Sequence, residues 1–163
     1  VLFSGESIHE MPENKLNQFR NFKIGFVFQF HYLLPEITVL ENVLMPARKT
    51  NLHKAKEAEA RKILEDFSLS HCVDKLPGQI SGGESQRVSI ARALIMQPEY
   101  IFADEPTGNL DSVNGEKVLA LFQKVNKDYG TTVVIVTHDM GYAKLAQRTI
   151  ALTDGRIESD TLN

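Results

Sequence analysis

Two hydrophobic periods take turns along this chain: short continuous apolar runs, and stretches in which apolar residues recur every third or fourth position. Residues 1–8, with Gly5 as a turn residue, read as the end of a strand pair. Lys23-Ile24-Gly25-Phe26-Val27-Phe28 reads as a strand running into Gln29, and Tyr100-Ile101-Phe102-Ala103 as another running into Asp104-Glu105-Pro106. The β-branched run 131–136 predicts a strand buried on both faces, which belongs in a parallel sheet. Residues 149–152, the turn pair Asp154-Gly155 and residues 156–157 predict a hairpin.

Helices fall between these strands. Thr38-Val39-Leu40-Glu41 has capping-box spacing, and the pairs Val39/Val43 and Leu40/Leu44 continue it as a helix expected to stop at Pro46. A second helix is predicted over 54–67, with Ala60, Ile63, Leu64 and Phe67 on one face. Ser81-Gly82-Gly83-Glu84 repeats the capping-box spacing and opens a helix carrying Val88, Ala91 and Ile95 that ends before Pro98. A fourth, over 112–128, buries Val118, Leu121, Phe122 and Val125 and stops at Gly130. Strand alternating with helix defines an α/β fold, interrupted between residues 30 and 97 by a mostly helical lobe.

Composition narrows this picture a little. The 163 residues fit one domain, and 42% apolar with 24% charged residues is ordinary for a globular protein. A net charge of −3 argues against binding nucleic acid by bulk charge. Cys72 is the only cysteine, so no internal disulfide forms, which suits a reducing compartment. A membrane span needs about 20 apolar residues; runs such as 133–136 fall far short, so any membrane role is expected to pass through a partner.

The strongest chemical signal is Asp104-Glu105, two carboxylates where an apolar strand meets a turn. Ligands bind at the carboxyl ends of strands in open α/β sheets, and paired acids there need a cation or hydrogen bonds. A magnesium-and-water site and a plain solvated strand end both satisfy that requirement. The Ser81-Gly82-Gly83 turn heads a helix whose free amides suit a phosphate, though many helices begin with such a cap.

Taken together, the motifs are more specific. Asp104-Glu105-Pro106-Thr107-Gly108-Asn109-Leu110-Asp111 resembles the Walker B motif and D-loop of the ATP-binding-cassette (ABC) ATPases, and Ile80-Ser81-Gly82-Gly83-Glu84-Ser85-Gln86-Arg87 resembles their signature motif. Gln29 stands where that family has its Q-loop glutamine, and His138 matches its switch histidine. The resemblance implies a P-loop NTPase core with a mostly parallel sheet and an inserted helical subdomain. It divides the chain into 1–29 and 98–163 as parts of the core and 30–97 as the signature-bearing subdomain. It also implies ATP and Mg2+ as ligands. Glu105 would orient and deprotonate the attacking water, Asp104 and Gln29 would hold Mg2+ partly through water, and His138 would contact the γ-phosphate. Ser81, Gly82, Gly83 and Glu84 would bind the ATP of a partner subunit, with Asp111 also acting across the dimer.

The phosphate-binding loop of that family, Gly-x-x-x-x-Gly-Lys-[Ser/Thr], does not occur in these 163 residues. It is expected upstream of Val1 in a longer parent, and the fragment alone is expected not to hold ATP. The run Phe28-Gln29-Phe30-His31-Tyr32-Leu33-Leu34-Pro35, with Asp104 to Asp111, resembles a subgroup that includes lipoprotein-releasing, macrolide-exporting and cell-division ATPases. That resemblance implies a second ATPase subunit and an integral membrane permease as partners, no nucleic acid, and a peripheral place on the cytoplasmic face of the inner membrane. Phe30, Tyr32, Leu33 and Leu34 would form the docking surface. A soluble ABC ATPase acting on nucleic acid or ribosomes, and an inactive interaction module, are the rival expectations.

Overall fold

The computed structural model describes residues 2–3 and 5–163. Strands β1 (Leu2–Phe3) and β2 (Glu6–Ser7) pair antiparallel around Gly5, as the sequence predicts. Helix α1 (Glu13–Lys23) follows and leads directly into β3 (Ile24–Phe28). The hydrophobic pattern predicts no element at α1. The helix buries no residue, so it lacks the broad apolar stripe that marks a core helix; it touches the rest through contacts such as Phe19 on Phe3, ring centroids 5.3 Å apart.

Helix α2 (Val39–Arg48) starts as expected: the Thr38 side chain accepts from the Glu41 amide at 3.2 Å, and Glu41 accepts from the Thr38 amide at 2.9 Å. It does not stop at Pro46 but runs two residues further. The ring removes one amide donor in what is already the last turn, and the end is closed instead by the Thr50 and Leu52 amides, which donate to the Ala47 carbonyl at 3.3 and 2.8 Å. Helix α3 (Glu57–Asp66) buries Ala60, Ile63 and Leu64, and α4 (Gly82–Leu94) buries Val88, Ile90, Ala91 and Leu94. Strand β4 (Tyr100–Asp104) leads through a turn to α5 (Ser112–Tyr129), which ends at Gly130 with φ +67°, a left-handed conformation that glycine adopts without penalty. Strand β5 (Thr132–Val136), a short α6 (Met140–Ala143) and the hairpin β6 (Arg148–Thr153) and β7 (Arg156–Leu162) complete the chain. Asp154 and Gly155 both take positive φ, as a tight hairpin turn demands.

Strands β3, β4 and β5 form a parallel three-stranded sheet in that order. Every regular element described between β3 and β4 is helical. The inner face of the sheet, with Val27, Ile101 and Ala103, joins Val88 and Leu94 of α4 and Val118, Phe122 and Val125 of α5 in one core that extends to α2 and α3. Gly25 lets α4 lie directly on β3: a Cβ there would stand 2.7 Å from the Ala93 carbonyl oxygen. The other face is only partly covered, by Phe3 against Tyr100 and Phe102 with ring centroids 5.1 and 6.2 Å apart, and this corrects the expectation of burial on both sides. Val134 is 40% and Val136 58% exposed on β5, and Phe26 and Phe28 on β3 are half-open. A β-branched run reports strand propensity; whether a second layer covers it is a tertiary matter.

Candidate active site

The parallel register aligns three strand ends. Phe28 pairs with Asp104 and Asp104 with Val136, so Gln29, Glu105 and Thr137 are the first residues beyond three neighbouring strands. This is the edge of an open α/β sheet where ligands bind. Asp104 is exposed at the last position of β4.

Glu105 turns sharply out of the strand. Its φ is +44°, an uncommon conformation for a residue with a Cβ, and its amide still donates to the Val136 carbonyl at 2.9 Å. The turn aims its carboxylate at the segment after β5. There Oε1 accepts from the His138 amide at 3.0 Å and lies 2.8 Å from His138 Nδ1, while Oε2 is 3.4 Å from the Thr137 hydroxyl. The carboxylate is mostly buried and the imidazole is 86% exposed. The hydrogen bond and negative charge of Glu105 raise the His138 pKa above its ordinary 6.5. The stabilisation from this pair is therefore full below the unfolded-state pKa and is lost as pH rises through the folded one. An NMR titration of the ring is expected to show a midpoint above 6.5 in the native protein and a lower one in Glu105→Gln. Equal midpoints in the two proteins would dissolve the pairing.

Gln29 is half-buried and held by one partner the sequence did not indicate. Its Nε2 donates to Asn109 Oδ1 at 3.1 Å, and Asn109 Nδ2 returns a bond to the Gln29 carbonyl at 3.2 Å. No donor among the described residues reaches Gln29 Oε1. Asn109 lies inside the recognised motif, yet nothing in a linear sequence pairs it with a residue 80 positions away.

At the start of α4, Ser81 Oγ accepts from the Glu84 amide at 3.3 Å, and Glu84 Oε2 accepts from the Ser81 amide and hydroxyl at 2.7 and 2.8 Å. Those bonds, the Ser81 amide first, bring the Glu84 pKa down to about 2. The two glycines differ. A Cβ at Gly82 would meet open space, whereas at Gly83 it would lie 2.9 Å from Asn114 Oδ1. Gly83 therefore makes room within this chain, for α5. Asn114 in turn donates its amide to Asp111 Oδ1 at 2.9 Å and its Nδ2 to Asp111 Oδ2 at 2.7 Å, which caps α5 and lowers the Asp111 pKa. Among the described residues, hydrogen bonds join Glu105 to His138, but join neither of them to Ser81 or Glu84.

Residues 1–108 match the family model described as ABC transporter, and the chain belongs to that family. It is similar to the lipoprotein-releasing system ATP-binding protein LolD of Leptospira interrogans, 51% identical over 154 residues, covering 94% of this chain and 65% of that protein. LolD of Shewanella denitrificans is 48% identical over 156 residues, covering 95% of this chain and 67% of its own length. This chain thus spans about two thirds of these curated relatives. Among solved structures, a dimeric post-hydrolysis state of the ATP-binding cassette MJ0796 bound to ADP and Pi matches with a TM-score of 0.81 and 38% identity, over 98% of this chain and 71% of that one. The α/β fold and parallel sheet agree with that P-loop NTPase core.

Proposed function

We propose that this chain belongs to the ATP-hydrolysing subunit of an ABC transporter, acting as a homodimer that drives a membrane permease in lipoprotein release. The observation that carries the reading is the Glu105/His138 pair fixed beside Asp104 at the ends of the parallel strands. The names of the LolD relatives support the cargo, and the dimeric cassette supports the assembly.

Phosphoryl transfer is catalysed mainly by positioning and charge stabilisation. Glu105 orients the attacking water and takes its proton, using the Oε2 that, among the described residues, only Thr137 approaches. His138 keeps Nδ1 on Glu105, and protonation adds an N–H at Nε2 to donate to the γ-phosphate. The donors present fit Mg2+, a hard cation that prefers oxygen: the exposed Asp104 carboxylate and Gln29 Oε1 would hold it, partly through water, where it neutralises phosphate charge. Ser81 and the free amides of α4 serve the ATP of the second subunit, with open space at Gly82 admitting the phosphate and Glu84 bracing the turn. Asp111, already committed to its own helix cap, contributes across the dimer by fixing where α5 begins. Residues 1–29 and 98–163 form the ATPase core and 30–97 the helical subdomain. The subunit sits peripherally on the cytoplasmic face of the inner membrane, in keeping with the absence, among the described residues, of a helix long and apolar enough to span it.

The test is reconstitution of the full-length protein with its permease in vesicles carrying a lipidated substrate. ATP-dependent release is expected; turnover without release rejects the cargo, and no turnover rejects the ATPase. A finer test concerns docking. Phe30, Tyr32 and Leu34 are exposed at 62%, 66% and 43%, while Leu33 packs against the core, and Arg92 steadies the loop by donating to the His31 and Tyr32 carbonyls at 2.7 and 2.6 Å. Tyr32→Ala is expected to keep its denaturant midpoint and lose the permease on co-purification. Leu33→Ala is expected to lose about 2 kcal/mol. If Tyr32→Ala unfolds as readily as Leu33→Ala and still binds the permease, the docking surface lies elsewhere.

A further inference from the structure

Away from the strand ends, three donors of different chemistry converge beside the start of α4. A tight turn over Ser70–Cys72 brings His71 Nε2 to 2.7 Å and Cys72 Sγ to 3.5 Å from Glu84 Oε1. The three ligating atoms all lie within 4.8 Å of one another. Glu84 divides its work: Oε2 belongs to the Ser81 cap, and Oε1 has the imidazole and the thiol as its hydrogen-bond partners among the described residues. Capping alone would be served by Oε2. The turn that delivers a nitrogen and a sulfur to the second oxygen is an additional feature.

We propose that His71 Nε2, Cys72 Sγ and Glu84 Oε1 form a binding site for a borderline-soft divalent cation of the Zn2+ class, with water as fourth ligand. In a tetrahedral site with bonds of 2.0–2.3 Å, such donors stand about 3.3–3.6 Å apart. The Cys72 to Glu84 separation of 3.5 Å already fits. His71 must withdraw by about 0.6 Å to reach that spacing, and its side chain, 58% exposed, is free to do so. The ion displaces the Cys72 proton to solvent, so thiolate and carboxylate together balance its charge. Burial and the Glu84 carboxylate beside it raise the Cys72 pKa in the metal-free protein, so the thiolate has to form together with the bound ion. One sulfur, one nitrogen and one oxygen suit zinc or cobalt, whereas Mg2+ takes six oxygen donors and keeps its waters. This site is separate from the one proposed at Asp104 and Gln29. A bound ion would tie the Ser70–Cys72 turn to the helix start that carries Ser81 and Gly82.

The experiment is a Co2+ titration of metal-free, full-length protein in reducing buffer with Mg2+ in large excess. One Co2+ per chain should bind with thiolate-to-cobalt charge-transfer absorption, and Zn2+ should displace it. Cys72→Ser should abolish the band. His71→Ala, at an exposed position where folding is not at stake, should weaken Co2+ binding at least about tenfold. Absence of the band in folded native protein overturns the proposal. So does a band that survives Cys72→Ser, or unchanged affinity in His71→Ala, and the latter decides the matter if Cys72→Ser does not fold. None of these readouts depends on ATP turnover, so their failure leaves the proposed ATPase intact.

Discussion

Glu105→Gln in the full-length protein is expected to lower ATP turnover by about 10²–10⁴-fold, the usual contribution of a positioned general base, while ATP still binds. The substitution keeps the size of the side chain and its carbonyl oxygen, which can still accept from the His138 amide now 3.0 Å away. It keeps the turn as well, since glutamine meets the same steric demand at φ +44° that glutamate meets. What disappears is the negative charge and the capacity to take a proton. Steady-state phosphate release measures the first effect and equilibrium nucleotide binding the second. Turnover within tenfold of native would remove Glu105 from the chemistry and leave it as a strand-end brace.

The largest effect on stability is expected at Asn42, which has no exposed surface. From within α2 its Nδ2 shares two hydrogens among the carbonyls of Leu34, Ile37 and Thr38 at 3.0, 3.2 and 3.0 Å, and its Oδ1 accepts from the Leu34 amide at 2.8 Å. One side chain therefore satisfies the backbone of the whole turn that joins the Phe30 to Leu34 run to the helix. Asn42→Ala takes the partner from the Leu34 amide and the Ile37 carbonyl, at about 1–3 kcal/mol for each one left buried without another. The Thr38 carbonyl keeps the Asn42 backbone amide at 2.9 Å, and the Leu34 carbonyl keeps the Ile37 amide at 3.5 Å. A loss of about 3 kcal/mol in urea unfolding is expected, against about 1 kcal/mol for Thr38→Ala, which removes only the cap. If the cap proves the more costly of the two, Asn42 is not the organiser of this turn.

Local signals were legible where local chemistry decides the outcome. The Thr38/Glu41 and Ser81/Glu84 boxes, the Gly130 stop and the Asp154-Gly155 turn each depend on residues at most a few positions apart, and each appears where its spacing predicts. The parallel sheet followed from strands interleaved with helices. What was not legible is what neighbours decide. Helix α1 has no core face to announce it, and α2 outlasts Pro46 because its end is closed from the segment beyond. The open face at Val134 and Val136 reflects a missing second layer among the described residues, not the residues themselves. At the candidate site, Asp104, Glu105 and His138 could be picked out from their motifs, but Asn109 on Gln29, and Asn114 between Asp111 and Gly83, are tertiary meetings. They make fixed hydrogen-bonded units out of residues that the motifs present as separate.

The aligned ends of β3, β4 and β5 place an unequal tolerance on the gene. Side chains alternate along a strand, so inserting or deleting one codon within 24–28, 100–104 or 132–136 would send Gln29, Glu105 or Thr137 to the wrong side of the sheet and break its match with the neighbouring strand. The same change at the exposed Asp154-Gly155 turn would only alter a surface loop. Length variation among natural versions of this protein should therefore collect in its turns, while the spacing from each strand to the residue that follows it stays constant.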